Sequence, residues 1–267
     1  MNNYKTVLAK LLPAAGEKIM AYRNQTQQVT EKEKNEIVTP ADITANDFIV
    51  SELTQAFPDI AIYTEEGAAN KSVATTRWIV DPIDGTTPWV WGNSGFSISV
   101  ALERDGEVVV GAVYDPVMEE LFYAEKGRGA TRNDQPISTS PEADVRSMFM
   151  VVDWGNKDEK RREGLRYLDA FMLPDMFARR IVPQFAPALG LCRIAEGRTH
   201  ALVCNDTWVE DHAAGALILQ EAGGYRTNFY QTDTFTHRQS GIIATNSSAT
   251  HQAILSRLKS AYSDSGY

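Results

Sequence analysis

Trp78-Ile79-Val80-Asp81-Pro82-Ile83-Asp84-Gly85-Thr86-Thr87 joins an apolar run, two carboxylates and a donor-rich turn within ten residues. Its first three residues are a short apolar run of the kind that forms a buried strand, and the run stops at a carboxylate. Pro82 is expected to break the strand, because it lacks the N–H that a sheet ladder needs. A second acid follows at Asp84, then Gly85-Thr86-Thr87, a turn rich in N–H and hydroxyl donors. Acids gather cations and such turns gather anionic oxygens, so together they point to metal-assisted phosphate chemistry. Asp-Pro and Asp-Gly pairs also make ordinary turns. The assignment therefore depends on acids elsewhere in the chain.

Upstream, Thr39-Pro40-Ala41-Asp42 predicts a helix start, with Thr39 as N-cap, Pro40 at the first helical position and Asp42 at N3. Ala45, Phe48, Ile49, Leu53, Ala56 and Phe57 give that helix an apolar face, and a strand over 60–63 then runs into Thr64-Glu65-Glu66. Before them, residues 4–23 read as an amphipathic helix interrupted by Pro13, and 24–36 as a polar loop or short hairpin. Downstream, 96–102, 108–114 and 121–124 form an antiparallel meander punctuated by Asp105-Gly106 and Asp115-Pro116. Past Pro141 the pattern mixes strands over 148–152, 201–204 and 242–244 with helices over 158–171, within 187–198, 212–222 and 249–262. Asp211 is expected as the N-cap of the helix that ends at Gly223-Gly224.

The bulk composition narrows the options. In 267 residues the net charge is −9, which opposes general affinity for nucleic acid and makes phosphate handling depend on bound cations. Two cysteines, Cys192 and Cys204, make no disulfide framework and fit a reducing cytoplasm; with four histidines they do not suit a zinc site. No run approaches the roughly 18–20 apolar residues that span a bilayer. Glu65, Asp81, Asp84 and Asp211 are oxygen donors, which select hard cations such as Mg2+ or Mn2+.

With these residues in view, the chain resembles the inositol monophosphatase family of lithium-sensitive, Mg2+-dependent phosphatases, SuhB-like bacterial members included. Asp81-Pro82-Ile83-Asp84-Gly85-Thr86 matches the family's D-P-x-D-G-T signature. Val38-Thr39-Pro40-Ala41-Asp42, Glu65-Glu66, Asp211-His212-Ala213-Ala214-Gly215 and Glu221-Ala222-Gly223-Gly224 resemble its other segments in order and approximate spacing. The resemblance implies an α/β, layered αβαβα sugar-phosphatase fold with two subdomains, 1–140 and 141–267, assembled as a homodimer. It implies that Glu65, Asp81 and the Ile83 carbonyl hold one Mg2+, that Asp81, Asp84 and Asp211 hold a second, and that a third, weaker ion lies near Glu65. Asp42 and Thr86 would orient and deprotonate the attacking water. Backbone N–H groups at Gly85 and Thr86 would hold phosphate oxygens, with Ala188 and Cys204 on the substrate side.

The chain departs from the family pattern at Thr64 (commonly Gly), Pro88 (often Asn), Glu210 (usually Trp), Pro187-Ala188 (usually Gly-Ser or Gly-Thr) and Cys204, near where a Glu binds a ring hydroxyl. None of these departures replaces a metal acid. The expected function is hydrolysis of a small polar alcohol phosphate, with inositol 1-phosphate first. The alternatives are fructose 1,6-bisphosphate, a 3′-phosphoadenosine phosphate or histidinol phosphate, and, by analogy with SuhB-type relatives, association with RNA polymerase. The roles of Pro88, Glu210 and His212 stay open at this level.

Overall fold

In the computed structural model, residues 3–23, 25, 29–33, 36–66, 74–155, 157–173, 175–183, 186–228 and 241–263 are described. The chain opens with α1 (Tyr4–Tyr22), the hairpin β1 (Thr30–Glu33) and β2 (Glu36–Val38), then α2 (Pro40–Ala56) and β3 (Ala61–Thr64). The opening stretch forms β4 (Thr76–Asp84) and α3 (Thr86–Val90). A meander follows: β5 (Ser97–Arg104), β6 (Glu107–Asp115), β7 (Glu120–Glu125), β8 (Ala130–Arg132) and β9 (Gln135–Ile137). The remainder is β10 (Phe149–Asp153), α4 (Asp158–Met172), β11 (Arg180–Pro183), α5 (Pro187–Ala195), β12 (Ala201–Cys204), α6 (Val209–Glu221), β13 (Tyr225–Asn228), β14 (Ile242–Thr245) and α7 (Ser248–Ser263).

Seven strands form one sheet in sequence order β3 to β9, with β3 and β4 parallel and the rest antiparallel. Five form a second sheet in the order β11-β10-β12-β14-β13. Strand alternation sends side chains to opposite faces, and this sorts the core into layers. Trp78 and Val80 pack with α1 and α2 through Leu8, Leu12, Ala45 and Ile49, whereas Ile79 faces α5 and α6. The far side of α5 and α6 meets Val151, Leu202 and Ala244 of the second sheet. Met150, Val203 and Ile243 point the other way, to Tyr167 and Phe171 of α4 and Leu258 of α7. The stack is therefore α1/α2, sheet, α5/α6, sheet, α4/α7, the expected αβαβα arrangement. Helix α6 is covered on both sides, and His212 to Leu219 are all buried, so it carries no polar face there.

Several local expectations need correction. Pro82 does not end the strand: β4 runs through to Asp84. The ladder absorbs the proline by a bulge, since Asp81 pairs with Ser99 but Asp84 with Ser97, leaving three steps opposite two. Asp211 is not the N-cap of its helix; α6 starts at Val209 and places Asp211 at N3. The short strands β11 and β13 lie at sheet edges and lack a long apolar run, which is why periodicity misses them. Part of the loop expected over 68–76 falls outside the described residues. The polar stretch over 24–36 contains the hairpin strand β1.

Candidate metal centre

The bulge in β4 is what gathers the acids. It turns the Ile83 N–H out of the ladder and onto Asp81 Oδ1 at 2.9 Å. Asp81 and Asp84 are both buried, three residues apart but displaced by the extra residue. Asp84 Oδ2 accepts from Ser97 Oγ at 3.0 Å and from the Leu189 N–H of α5 at 3.4 Å. Asp211 enters from the first turn of α6, where its Oδ2 accepts the Trp208 N–H at 2.6 Å. One carboxylate oxygen from each of Asp81, Asp84 and Asp211 lies within 4.8 Å of the others.

Burial raises the pKa of all three above the usual carboxylate range, with Asp84 pushed up to about 8. For Asp81 the next causes are the negative charges of Glu65, Asp84, Asp211 and Glu210. A buried, like-charged cluster of this kind is costly unless a cation neutralises it. Three oxygen donors converging on one point fit a hard divalent ion such as Mg2+ or Mn2+.

Glu65 follows β3, where its N–H donates to the Val80 carbonyl at 3.1 Å; its side chain is exposed, beside the cluster rather than within it. The Ile83 carbonyl accepts from Thr86 Oγ1 at 3.2 Å. Gly85, with φ of 92°, takes the left-handed conformation that turns β4 into α3, which a side chain would strain. Thr86 Oγ1 lies 3.1 Å from Asp42 Oδ1, whose other oxygen accepts from the Thr39 N–H at 2.8 Å and Thr39 Oγ1 at 2.5 Å. Asp42 is thus both the capping-box acid of α2 and the partner of Thr86.

The substrate-side expectations lie further back. Ala188 sits in the first turn of α5, and its backbone bonds to Asp84. Cys204 is fully buried at the end of β12, its Sγ 3.3 Å from the Asp206 carbonyl, and burial pushes its thiol pKa up. It faces Asp153 across the β10–β12 register, a buried acid that burial raises to about 7. Pro88 is buried within α3. His212 is wholly buried in α6, with Nδ1 2.8 Å from Thr207 Oγ1.

Sequence reasoning overlooked Ser97, Ser99, Tyr63 and Asp153. The alternation Ser97-Ile98-Ser99 was the available signal, because it puts two hydroxyls on one face of β5: Ser97 on Asp84, and Ser99 Oγ on the Glu210 carbonyl at 3.1 Å. Glu210 is buried, and the Tyr63 hydroxyl donates to its carboxylate, 3.3 and 3.2 Å from the two oxygens.

Comparison with known proteins gives a consistent result. Residues 2–263 match the inositol monophosphatase family. A Nus factor SuhB of Vibrio cholerae is 34% identical over 235 residues, covering 87% of this chain and 86% of its own. A fructose-1,6-bisphosphatase/inositol-1-monophosphatase of Thermotoga maritima is 36% identical over 228 residues, covering 82% of each chain. A solved Thermotoga maritima IMPase superposes with a TM-score of 0.87 at 29% identity, covering 99% of both chains.

Proposed function

The chain belongs to the inositol monophosphatase family, and from that premise we propose that it is a Mg2+-dependent phosphomonoesterase acting on a small polar alcohol phosphate, inositol 1-phosphate first. The observation that carries this is the convergence of Asp81, Asp84 and Asp211 within 4.8 Å, next to the Thr86–Asp42 pair. Asp81, Asp84 and Asp211 would hold one ion, and Glu65, Asp81 and the Ile83 carbonyl a second, with a weaker third near Glu65. Bound there, divalent cations polarise the phosphate and neutralise its charge.

The chain's own residues do the rest. Phosphoryl transfer needs positioning and charge neutralisation more than covalent help. The Gly85 and Thr86 N–H groups, at the turn into α3, hold phosphate oxygens. Thr86 Oγ1 accepts a proton from the attacking water as its own proton passes to Asp42 Oδ1, which Thr39 fixes in place. Ala188 and Cys204, both fully buried, would back the leaving-group side where the family usually has polar groups. In this reading residues 1–140 carry most of the metal ligands, residues 141–267 supply Asp211 and that wall, and two chains form a homodimer in the cytoplasm.

The test is phosphate release from inositol 1-phosphate, fructose 1,6-bisphosphate, 3′-phosphoadenosine 5′-phosphate and histidinol phosphate, with and without Mg2+ and Li+. The wild type is expected to release phosphate only with Mg2+, and Asp84→Asn to lose at least about 100-fold. Equal release by both would sink the reading.

The similarity to a Nus factor SuhB supports a second reading, in which the chain associates with RNA polymerase. Polymerase pull-down that survives Asp84→Asn, alongside weak turnover on every phosphate ester, would favour it.

A further inference from the structure

Glu210 and Tyr63 form a contact between the segments that carry Glu65 and Asp211. Tyr63 is in β3, two residues before Glu65; Glu210 is in the first turn of α6, immediately before Asp211. Their side chains are 147 residues apart in sequence, yet the Tyr63 hydroxyl sits 3.3 and 3.2 Å from the two Glu210 oxygens. Each partner is fixed from behind. The Glu210 carbonyl accepts from Ser99 Oγ at 3.1 Å, holding the first turn of α6 to β5. The Tyr63 ring lies under the Arg77 guanidinium at 5.1 Å, and Arg77 is paired with the buried Glu103 at 2.6 Å.

The geometry points to Tyr63 and Glu210 as a positioning pair that sets the separation between Glu65 and Asp211, and so the cation affinity of the site. The acids come from different layers: Glu65 from the edge of the seven-stranded sheet, Asp211 from the helix layer beneath it. Asp81 and Asp84 share one bulged strand and need no outside help to keep their spacing. Glu65 and Asp211 share no element, and the bond between Tyr63 and Glu210 joins the two segments one or two residues from each. Neither Tyr63 nor Glu210 is a proposed cation ligand or part of the Thr86–Asp42 pair, so both are positioning residues.

The inference rests on the proposed metal centre, and the experiment separates the two. Mn2+ binding to the purified full chain is followed by the loss of its free-ion paramagnetic resonance signal, with thermal unfolding of the metal-free protein alongside. Tyr63→Phe removes one hydroxyl and keeps the ring under Arg77, so the metal-free protein stays folded, its melting temperature lowered by no more than the loss of one hydrogen bond, while Mn2+ affinity falls roughly tenfold, as when an outer support of a metal site is removed. Glu210→Ala also weakens binding, and Tyr63→Phe/Glu210→Ala binds no worse than Glu210→Ala alone, because both changes break the same bond. Wild-type affinity in Tyr63→Phe, or effects that add in the double variant, overturns the pair while leaving the metal centre intact. A wild-type chain that binds no Mn2+ overturns the proposed function and the pair with it.

Discussion

Asp42 shows why a residue's local role does not exclude a chemical one. Its place at N3 behind Thr39 explains it fully as a capping-box acid, and the structure confirms that box. The same fixed carboxylate also meets Thr86, 44 residues away, a contact that spacing in the sequence does not reveal. General acid–base help of this kind is worth about 10²–10⁴-fold in rate. Thr86→Ala is therefore expected to lose kcat in that range with Mn2+ affinity unchanged, and Thr86→Ser, which keeps a hydroxyl, to recover much of it. A loss in Thr86→Ala that appears only as weaker metal binding would contradict the relay. The two acids of the bulged strand were legible because their motif is contiguous. Ser97 and Tyr63 were not, because what matters about them is the partner across the sheet or layer.

Among the elements, α6 decides whether Asp211 arrives at all. It fits between β6 and α5 only because its neighbours are small. A Cβ on Gly111 of β6 would come within 2.6 Å of the Ala214 carbonyl oxygen, and one on Gly215 within 2.8 Å of the Ala188 carbonyl oxygen. The Ala213-Ala214-Gly215 segment that carried the family resemblance is thus a packing requirement beside the acid. Glu221, in the related segment, accepts from the Gly127 and Gly129 N–H groups, both at 2.8 Å, and ties the end of α6 to the loop between β7 and β8. Gly111→Ala should cost about 1–3 kcal/mol by overpacking against backbone, seen as a lower denaturation midpoint, whereas Gly95→Ala, which meets nothing within 4 Å, should be neutral. Equal midpoints for the two would contradict this account of the layer. The sequence placed α6 within three residues at its start and misassigned only the cap. Asp211 bonds back to the Trp208 N–H from N3, much as Asp42 does to Thr39, but Trp208 gives no capping signal of its own.

For the whole molecule, the fold concentrates negative charge at one buried point in a chain of net charge −9. Burial pushes the Asp84 carboxyl from its ordinary 3.8 up to about 8 in the folded, metal-free protein. The folded state then holds a proton that the unfolded state has released, so stability falls as pH rises from about 4 toward 8. Mg2+ competes with that proton, so its stabilising effect grows over the same window. The gain in melting temperature on adding Mg2+ should be larger at pH 8 than at pH 6; a gain that shrinks with pH would contradict the buried acids as ligands. The layered fold was legible from the strand and helix patterns together with the family motifs. The leaving-group side was not, because Ala188 and Cys204 carry no charge or motif that specifies a ligand and both are buried behind that side.

If Asp81, Asp84 and Asp211 jointly hold a catalytic cation, anomalous diffraction from crystals equilibrated with Mn2+ shows a strong peak among these three carboxylates, and that peak disappears in Asp84→Asn. Mn2+-dependent phosphate release with no peak there rules the shared site out.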